Sequence, residues 1–538
     1  MRLAIILALA ISLIAQTKKP ADVCTPPANR VSPSLPAKLL AGQGTESIRF
    51  PITTKSPEAQ QFFLQGVAQM HSFWAVEAER SFLQAAALDP EAPMPWWGVA
   101  MVAIGDYRPR FQLENYGNLR NPDIAPRVEE AVKKMLDLSA VPGKATELEK
   151  LYIASIAARR DIRVKNQDEA YIKGLRAIVA GYPGEVEAKS YLALHLMRGF
   201  ELPDKKPREG STEAAEMLKE LAAGFPDHPG VHHYIIHGFE GSTFAKDAWA
   251  SCKRYAELVP NIPHALHMPG HIYSQTGRWE DAVKSFSEAA DNERKWMKAD
   301  SLYATSHHGH NVHYLSTSHS FQGHVDQAIE AARQLLEYKE NPREAAAIDN
   351  NRTAYRQGWF ALMRALVQNE QWDLVLDGNT LPVYDKPREM AWRHWALGLA
   401  RAAKGHPREA SQALLAMDEQ FDVYQEKTRQ AVPAELRVAK QELSAQIAAA
   451  RKNVSAAIEK LQKLSKRQRA LTYSEPPFYP RPVADVIGRL ALQNGQMDVA
   501  DKAYRESLEQ YEANQIATAG LREVQRRRTS SGAAAAGR

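Results

Sequence analysis

Cysteine is nearly absent from this 538-residue sequence, which has only Cys24 and Cys252. That excludes a disulfide framework and any metal site built from several thiolates. Long apolar runs are scarce as well. The longest run, residues 3–15 after Arg2, has thirteen residues with Ser12 among them, too few to cross a bilayer comfortably. Its basic start and polar continuation predict a signal peptide over 1–16, and hence an exported, periplasmic or extracellular protein with no stable membrane span after cleavage. An excess of one charge is also missing: 68 basic and 63 acidic residues leave +5. The basic residues are scattered rather than striped, which argues against a nucleic-acid partner. There is no phosphate-cradling glycine loop, nucleophile elbow, HExxH or paired CxxC, so the common hydrolase, kinase and oxidoreductase signatures are absent.

What the chain does have is histidine. Twelve of its 17 histidines fall between His232 and His324, mainly as the bursts HHYIIH, HALHMPGH and HHGHNVH. Imidazole is the commonest metal ligand and titrates near neutral pH. Around the bursts, long stretches rich in Ala, Leu, Glu, Gln, Arg and Lys predict helices. The length exceeds what one compact core serves, so several domains or an extended repeat array are expected.

A repeat of 34 residues is present. The window starting at Ala59 places Gly66 eighth, Ala78 twentieth, Phe82 twenty-fourth, Ala85 twenty-seventh and Pro90 thirty-second. The window at Pro263 repeats this with Gly270, Ala282, Phe286 and Ala289, and adds Tyr273. Less complete windows start at Pro229, Gly309, Ala391 and Arg481, keeping Ala248, Ala328, Ala410 and Ala500. Gly277, Gly323, Gly405 and Gly495 each stand fifteenth, where a left-handed residue ends the first helix of a pair.

This pattern resembles the tetratricopeptide repeat (TPR), a helix–turn–helix unit, over roughly residues 55–515. The resemblance implies an all-α solenoid of TPR-like helix–turn–helix repeats, in which units stack because no single pair can bury its apolar stripe. The expected organisation is a signal peptide over 1–16, a linker or extended segment over 17–54, repeats over 55–228, histidine-rich repeats over 229–342, repeats over 343–515, and a disordered basic tail over 516–538. In the family the second, fifth, ninth, twelfth and thirteenth places face the concave wall. Those places hold His264, His267 and His271 in one unit, His233, His237 and Glu240 in another, and His310 and His313 in a third. His71 is thirteenth in the first unit and is expected to face the groove as a distant base. His232 is fourth, a packing place, while His307 and His308 are read as preceding their helix.

Within a helix, spacings of three, four and seven bring side chains onto one face about 5–6 Å apart, close enough for two imidazoles to share an ion. The expected ligand set, mostly imidazole with Glu240, suits zinc, copper or iron and argues against calcium and magnesium. Met268 offers a thioether, and Arg108 and Arg110 can meet an anion. Pro269 disrupts its helix: either the helix begins there, or it is kinked and the Ala265 carbonyl loses its donor. The concave places turn to Trp392 and Trp395, then Asp485 and Arg489, toward the C-terminus. The leading expectation is a transition-metal site that supports ligand binding or catalysis on a small molecule or peptide, with enzymatic activity left open. The alternatives are a metal-free TPR scaffold for protein or peptide interaction, and a purely structural histidine network.

Overall fold

The computed structural model describes residues 33 and 35–536 apart from 110–123, 202, 300–304, 341–347 and 349–352. The expected signal peptide, Cys24 and Arg110 lie outside the described residues.

The described chain is helical almost throughout, its two strands being the two-residue pair Phe200–Glu201 and Lys206–Pro207. Its unit is the antiparallel helix pair. Pro57–His71 pairs with Ala75–Leu88, Pro263–Gln275 with Trp279–Ala299, Thr305–Gln322 with Val325–Leu336, Pro387–Ala403 with Pro407–Thr428, and Val483–Gln493 with Met497–Gln510. The repeat residues explain why these pairs form. Gly277, Gly323, Gly405 and Gly495 take φ of 74, 76, 81 and 74°, the left-handed turn that ends the first helix. The eighth-place glycine lets the second helix approach. A Cβ on Gly66 would lie 2.6 Å from the Phe82 ring, on Gly270 2.6 Å from Phe286, and on Gly488 2.5 Å from Tyr504. Each aromatic is therefore seated against bare backbone, and burying such a side chain contributes roughly 1.5–3 kcal/mol. The all-α repeat architecture expected from the sequence is present.

The apolar core is interrupted where the histidines concentrate. One cluster of buried side chains runs from Ile48 to Ile272 and another from Ala328 to Val524. Between them lie only small clusters around Phe286 and Tyr314 and around Val312 and Leu335. The histidine seam starts on the helices that close the first cluster, Pro229–Phe239 and Pro263–Gln275, and continues into that gap on Thr305–Gln322.

Several expectations are corrected. The helix Pro263–Gln275 runs through Pro269 and does not begin there; next to the proline, Ser285 Oγ donates to the Leu266 carbonyl at 2.5 Å. The helix carrying the last burst begins at Thr305, so His307 and His308 are inside it and buried. The described part of the linker is packed: Leu40 N donates to Gln65 Oε1 at 2.7 Å, and Phe50 stacks edge-on against Phe63 and Trp97. The tail expected to be disordered over 516–538 is helical across Gln515–Ala536. Ala517 and Val524 are fully buried, and Arg526 and Arg527 both pair with Glu523 at 2.7 Å. Trp392 and Trp395 are core rather than groove, each 0% exposed, and Asp485 and Arg489 are tied to Asn514 and Glu370 at 2.8 and 2.9 Å.

The array bends back on itself. Trp279 Nε1 donates to the Glu512 carbonyl at 2.8 Å, Lys246 Nζ meets Glu512 at 2.9 Å, and the Phe321 and Tyr511 rings lie 4.8 Å apart. The segment 473–481 crosses the same gap, its Tyr479 and Pro480 carbonyls accepting from Arg364 at 3.3 Å. No helix of the described residues is long and apolar enough to cross a membrane.

Candidate functional site

Three helices carry the expected ligands. Pro229–Phe239 supplies His233 and His237, Pro263–Gln275 supplies His264, His267 and His271, and Thr305–Gln322 supplies His310 and His313. Proline opens the first two at a position where a missing N–H costs nothing. The structure sorts seven of the eight expected ligands into two trios and a bridge. His233, His237 and His264 have ring nitrogens within 4.8 Å of one another, as do His267, His271 and His310. Glu240 lies between them, 3.5 Å from His237 Nδ1 and 2.9 Å from His271 Nδ1.

In the first trio, His233 Nδ1–H donates to the His71 carbonyl at 2.5 Å, which leaves its Nε2 as a lone pair. That Nε2, both nitrogens of His237 and the Nε2 of His264 are buried with no hydrogen-bond partner among the described residues. Buried polar atoms without partners are rare in folded proteins. Here they converge. His264 Nδ1 faces His307 Nε2 at 3.5 Å, and His307 Nδ1 is bonded to Glu293, so a carboxylate stands behind that imidazole pair.

The second trio is more sharply defined. His267 Nδ1–H donates to Asn311 Oδ1 at 2.9 Å. The Asn311 amide cannot be turned round, because its Nδ2 donates to the Phe286 carbonyl and to Glu293 Oε2, both at 3.1 Å. His271 Nδ1–H is directed at Glu240 and Glu475. His267 therefore aims an Nε2 lone pair inward, at 2.7 Å from His271 Nε2, with His310 Nε2 3.2 Å from the same atom. Two ring nitrogens at that separation need a positive centre between them, a proton carried by one of them or a metal ion. Metal–nitrogen bonds of 2.0–2.1 Å at right to tetrahedral angles put nitrogens about 2.9–3.4 Å apart, close to these spacings. A carboxylate or amide holding the far ring nitrogen is the usual support of a metal-bound histidine.

Electrostatics keep five of the six trio histidines neutral. Burial pushes His233, His237, His264, His267 and His310 well below the ordinary imidazole range, and neighbouring histidines push the same way. Neutral imidazole is the form that binds metal. Burial alone would raise Glu293, but His307 and His308 outweigh it and hold the carboxyl at about 2. Glu475 goes the other way, pushed up to about 7 by burial and by Glu240 despite His271.

The remaining expected residues are placed differently. His313 joins neither trio; its Nδ1–H donates to Gln357 Oε1 at 2.7 Å. His71 does not face the groove. It is fully buried, bonded to Tyr234 Oη and Glu187 at 2.7 Å each, and contributes its carbonyl behind His233. His71, Glu187 and His228 are close enough to hold an ion, but both ring nitrogens of His71 and one of His228 are already bonded within the network, which makes it a support. Met268 turns into the apolar core and away from the trios. Arg108 is buried over the Phe73 ring, 4.8 Å from its centroid. His232 bonds Ser251 and the Pro226 carbonyl, as its packing place implies. Sequence reasoning missed Glu187, Glu293 and Glu475, single polar residues outside the bursts, missed Asn311 within the last burst, and set His307 and His308 aside.

A cleft of about 190 Å³ reaches the seam beside Ser274, Tyr314, Tyr473 and Glu475 and continues between Trp279, Phe321 and Tyr511. Tyr473 Oη donates to Glu240 Oε1 at 3.0 Å at its floor.

No family model matches the chain, and no curated protein matches it in sequence. Solved structures that align include yeast Tom70, at 13% identity over 88% of this chain and 90% of that one with a TM-score of 0.29. A human IFIT1 dimer with m7Gppp-AAAA aligns at 11% identity over 88% and 91%, TM-score 0.32. The P58(IPK) TPR domain aligns at 12% over 88% and 99%, TM-score 0.21. The repeat architecture stands on the helix pairs of this chain.

Proposed function

We infer that the histidine seam binds a transition metal, zinc, copper or iron, and uses it to hold or activate a small molecule or peptide entering by the adjoining cleft. The observation that carries this reading is the convergence of His267, His271 and His310 Nε2 at 2.7 and 3.2 Å, with the Nδ1 atoms of His267 and His271 engaged behind. Three protein nitrogens leave a fourth position for water or ligand, the arrangement found at catalytic rather than closed structural zinc sites. Glu475, held near neutrality at about 7, suits proton exchange with a group in that position. The first trio offers a second site of the same ligand type, with Glu240 between the two. Export rests on the N-terminal run and remains part of the proposal.

A metal-free reading has its own support. Stacked helix pairs form a scaffold suited to protein or peptide binding, and the cleft is walled by Trp279, Phe321, Tyr473 and Tyr511, aromatics that stack well on peptide side chains.

Elemental analysis of untagged protein after supplementation with each metal separates the two. The metal reading expects about one equivalent or more per chain, falling by about one in a His267→Ala, His271→Ala variant. Less than about a tenth of an equivalent, with thermal stability unchanged by metal, refutes it and leaves the scaffold reading.

A further inference from the structure

Beside the second trio, His310 and His313 share the wall of a small cavity with Arg356, Arg364, Arg388 and Glu475. Its volume is about 40 Å³; a water takes about 10–15 Å³ of such space, so roughly three water-sized groups fit. Two of the guanidinium groups have carboxylate partners. Arg356 is gripped by Glu389 at 2.7 and 2.6 Å, and Arg388 lies 3.5 Å from Glu435.

Arg364 is different. It is 1% exposed, and its terminal nitrogens donate to the carbonyls of Pro477, Tyr479 and Pro480. Its Nε–H meets no acceptor, and no carboxylate pairs with it, among the described residues. Burial lowers its pKa to about 10, which still leaves it charged at neutral pH. A buried guanidinium without an anion is unfavourable, and bidentate or end-on carboxylates are its usual complement. Glu475 borders the cavity but is engaged with His271 and Glu240.

His313 supplies the opposite half of a recognition pattern. Its Nδ1–H is used by Gln357, so Nε2 carries a lone pair, and that atom is buried without a partner among the described residues. Burial and the nearby Arg364 charge push the ring down to about 3, so it stays neutral and accepting. The residues lining the cavity thus include one with an unused cationic donor and one with an unused neutral acceptor.

We propose that this cavity receives the head of a small carboxylate bearing a hydroxyl or amino group on the adjacent carbon, the carboxylate accepting from Arg364 and the neighbouring donor facing His313. The proposal deepens the metal reading by naming a ligand class for the same seam, and only its placement beside His310 rests on that reading. The cavity shares Ser474, Glu475, Pro477 and Phe478 with the larger cleft, so the remainder of a longer ligand extends there.

Calorimetric titration of the full chain, metal-loaded and chelator-stripped, with lactate, lactamide, propionate and phosphate tests it. Lactate is expected to bind at least about 10-fold tighter than lactamide, the worth of one charge-assisted hydrogen bond, and tighter than propionate. Arg364→Met erases the lactate–lactamide difference. Because that change also frees three carbonyls, His313→Leu is the second variant: it erases the preference for lactate over propionate while leaving propionate binding unchanged. Equal binding of lactate and lactamide, or binding of neither, overturns the subsite; phosphate binding tighter than lactate and displacing it overturns the carboxylate class. A chain that takes up no metal yet keeps the lactate preference supports the subsite and refutes the metal reading. A chain that takes up metal without that preference does the reverse.

Discussion

Asn311→Leu separates a metal-binding seam from a merely polar one, because Asn311 touches only the back of a ligand. The change removes hydrogen bonds of 2.9 Å to His267 Nδ1 and 3.1 Å each to Glu293 and the Phe286 carbonyl. Glu293 keeps His307 and His308, so its loss is small. His267 Nδ1–H would be left unpaired in a dry interior at a cost of about 1–3 kcal/mol. The ring has an escape: moving its proton to Nε2 lets it donate across the 2.7 Å gap to His271. In metal-free protein this repairs most of the damage, and the expected stability loss is about 1 kcal/mol. With metal the same tautomer blocks coordination. Affinity should therefore fall about 10- to 100-fold, or about 1.4–2.8 kcal/mol. Asn311→Asp keeps an acceptor for His267 but sets a second carboxylate 3.1 Å from Glu293 Oε2, so it should bind metal better than Asn311→Leu at a larger cost in stability. Competition against a chromophoric chelator reads affinity, and urea unfolding of stripped protein reads stability. If Asn311→Leu binds metal within about twofold of the native chain, or Asn311→Asp is as weak as Asn311→Leu, the argument that Asn311 sets the His267 tautomer fails.

Two further predictions concern the scaffold. Glu79, buried beside Arg127, is pushed up to about 7 from 4.5, burial outweighing the arginine. The folded state then holds a proton that the unfolded chain has released, so stability falls as pH rises from about 4.5 through 7, by about 3 kcal/mol in all. Glu79→Gln should flatten that slope in urea midpoints measured at about pH 5 and about pH 8; an unchanged slope rejects it. Gly270→Ala gains about 1 kcal/mol of helix propensity but drives a Cβ to 2.6 Å from Phe286. Overpacking of about 1–3 kcal/mol wins, leaving a net loss of up to about 2 kcal/mol that Phe286→Leu should partly restore; a stabilised Gly270→Ala protein contradicts the packing account.

The fold was legible because each unit leaves the same trace. Gly66, Gly270 and Gly488 recur at one place for one reason, an aromatic on the next helix. The trios were legible in part, because spacings of three, four and seven put His264, His267 and His271 on one helix face. Their partition between two centres was not, since it depends on how Pro229–Phe239 and Thr305–Gln322 cross the middle helix. Glu293 and Glu475 left no local mark: one lies in a second helix among other charges, the other in a proline-rich segment outside the repeat rhythm. His307 and His308 were set aside because the helix start was placed by repeat register, and the helix extends further back to Thr305. The tail misled by composition, since Ala517 and Val524 are too few to show a stripe yet both are buried.

An open row of helix pairs behaves like a coil spring, stretching and twisting as its ends move apart. Here Glu512 is fastened to Trp279 and Lys246, and residues 473–481 are strapped across the gap to Arg364, Gln275 and Glu240. The C-terminal end is tied back to the middle of the row. Stretch between residues 246–321 and the C-terminal unit is thereby restrained, and the strap stands between the larger cleft and histidines that are nearly closed off from water.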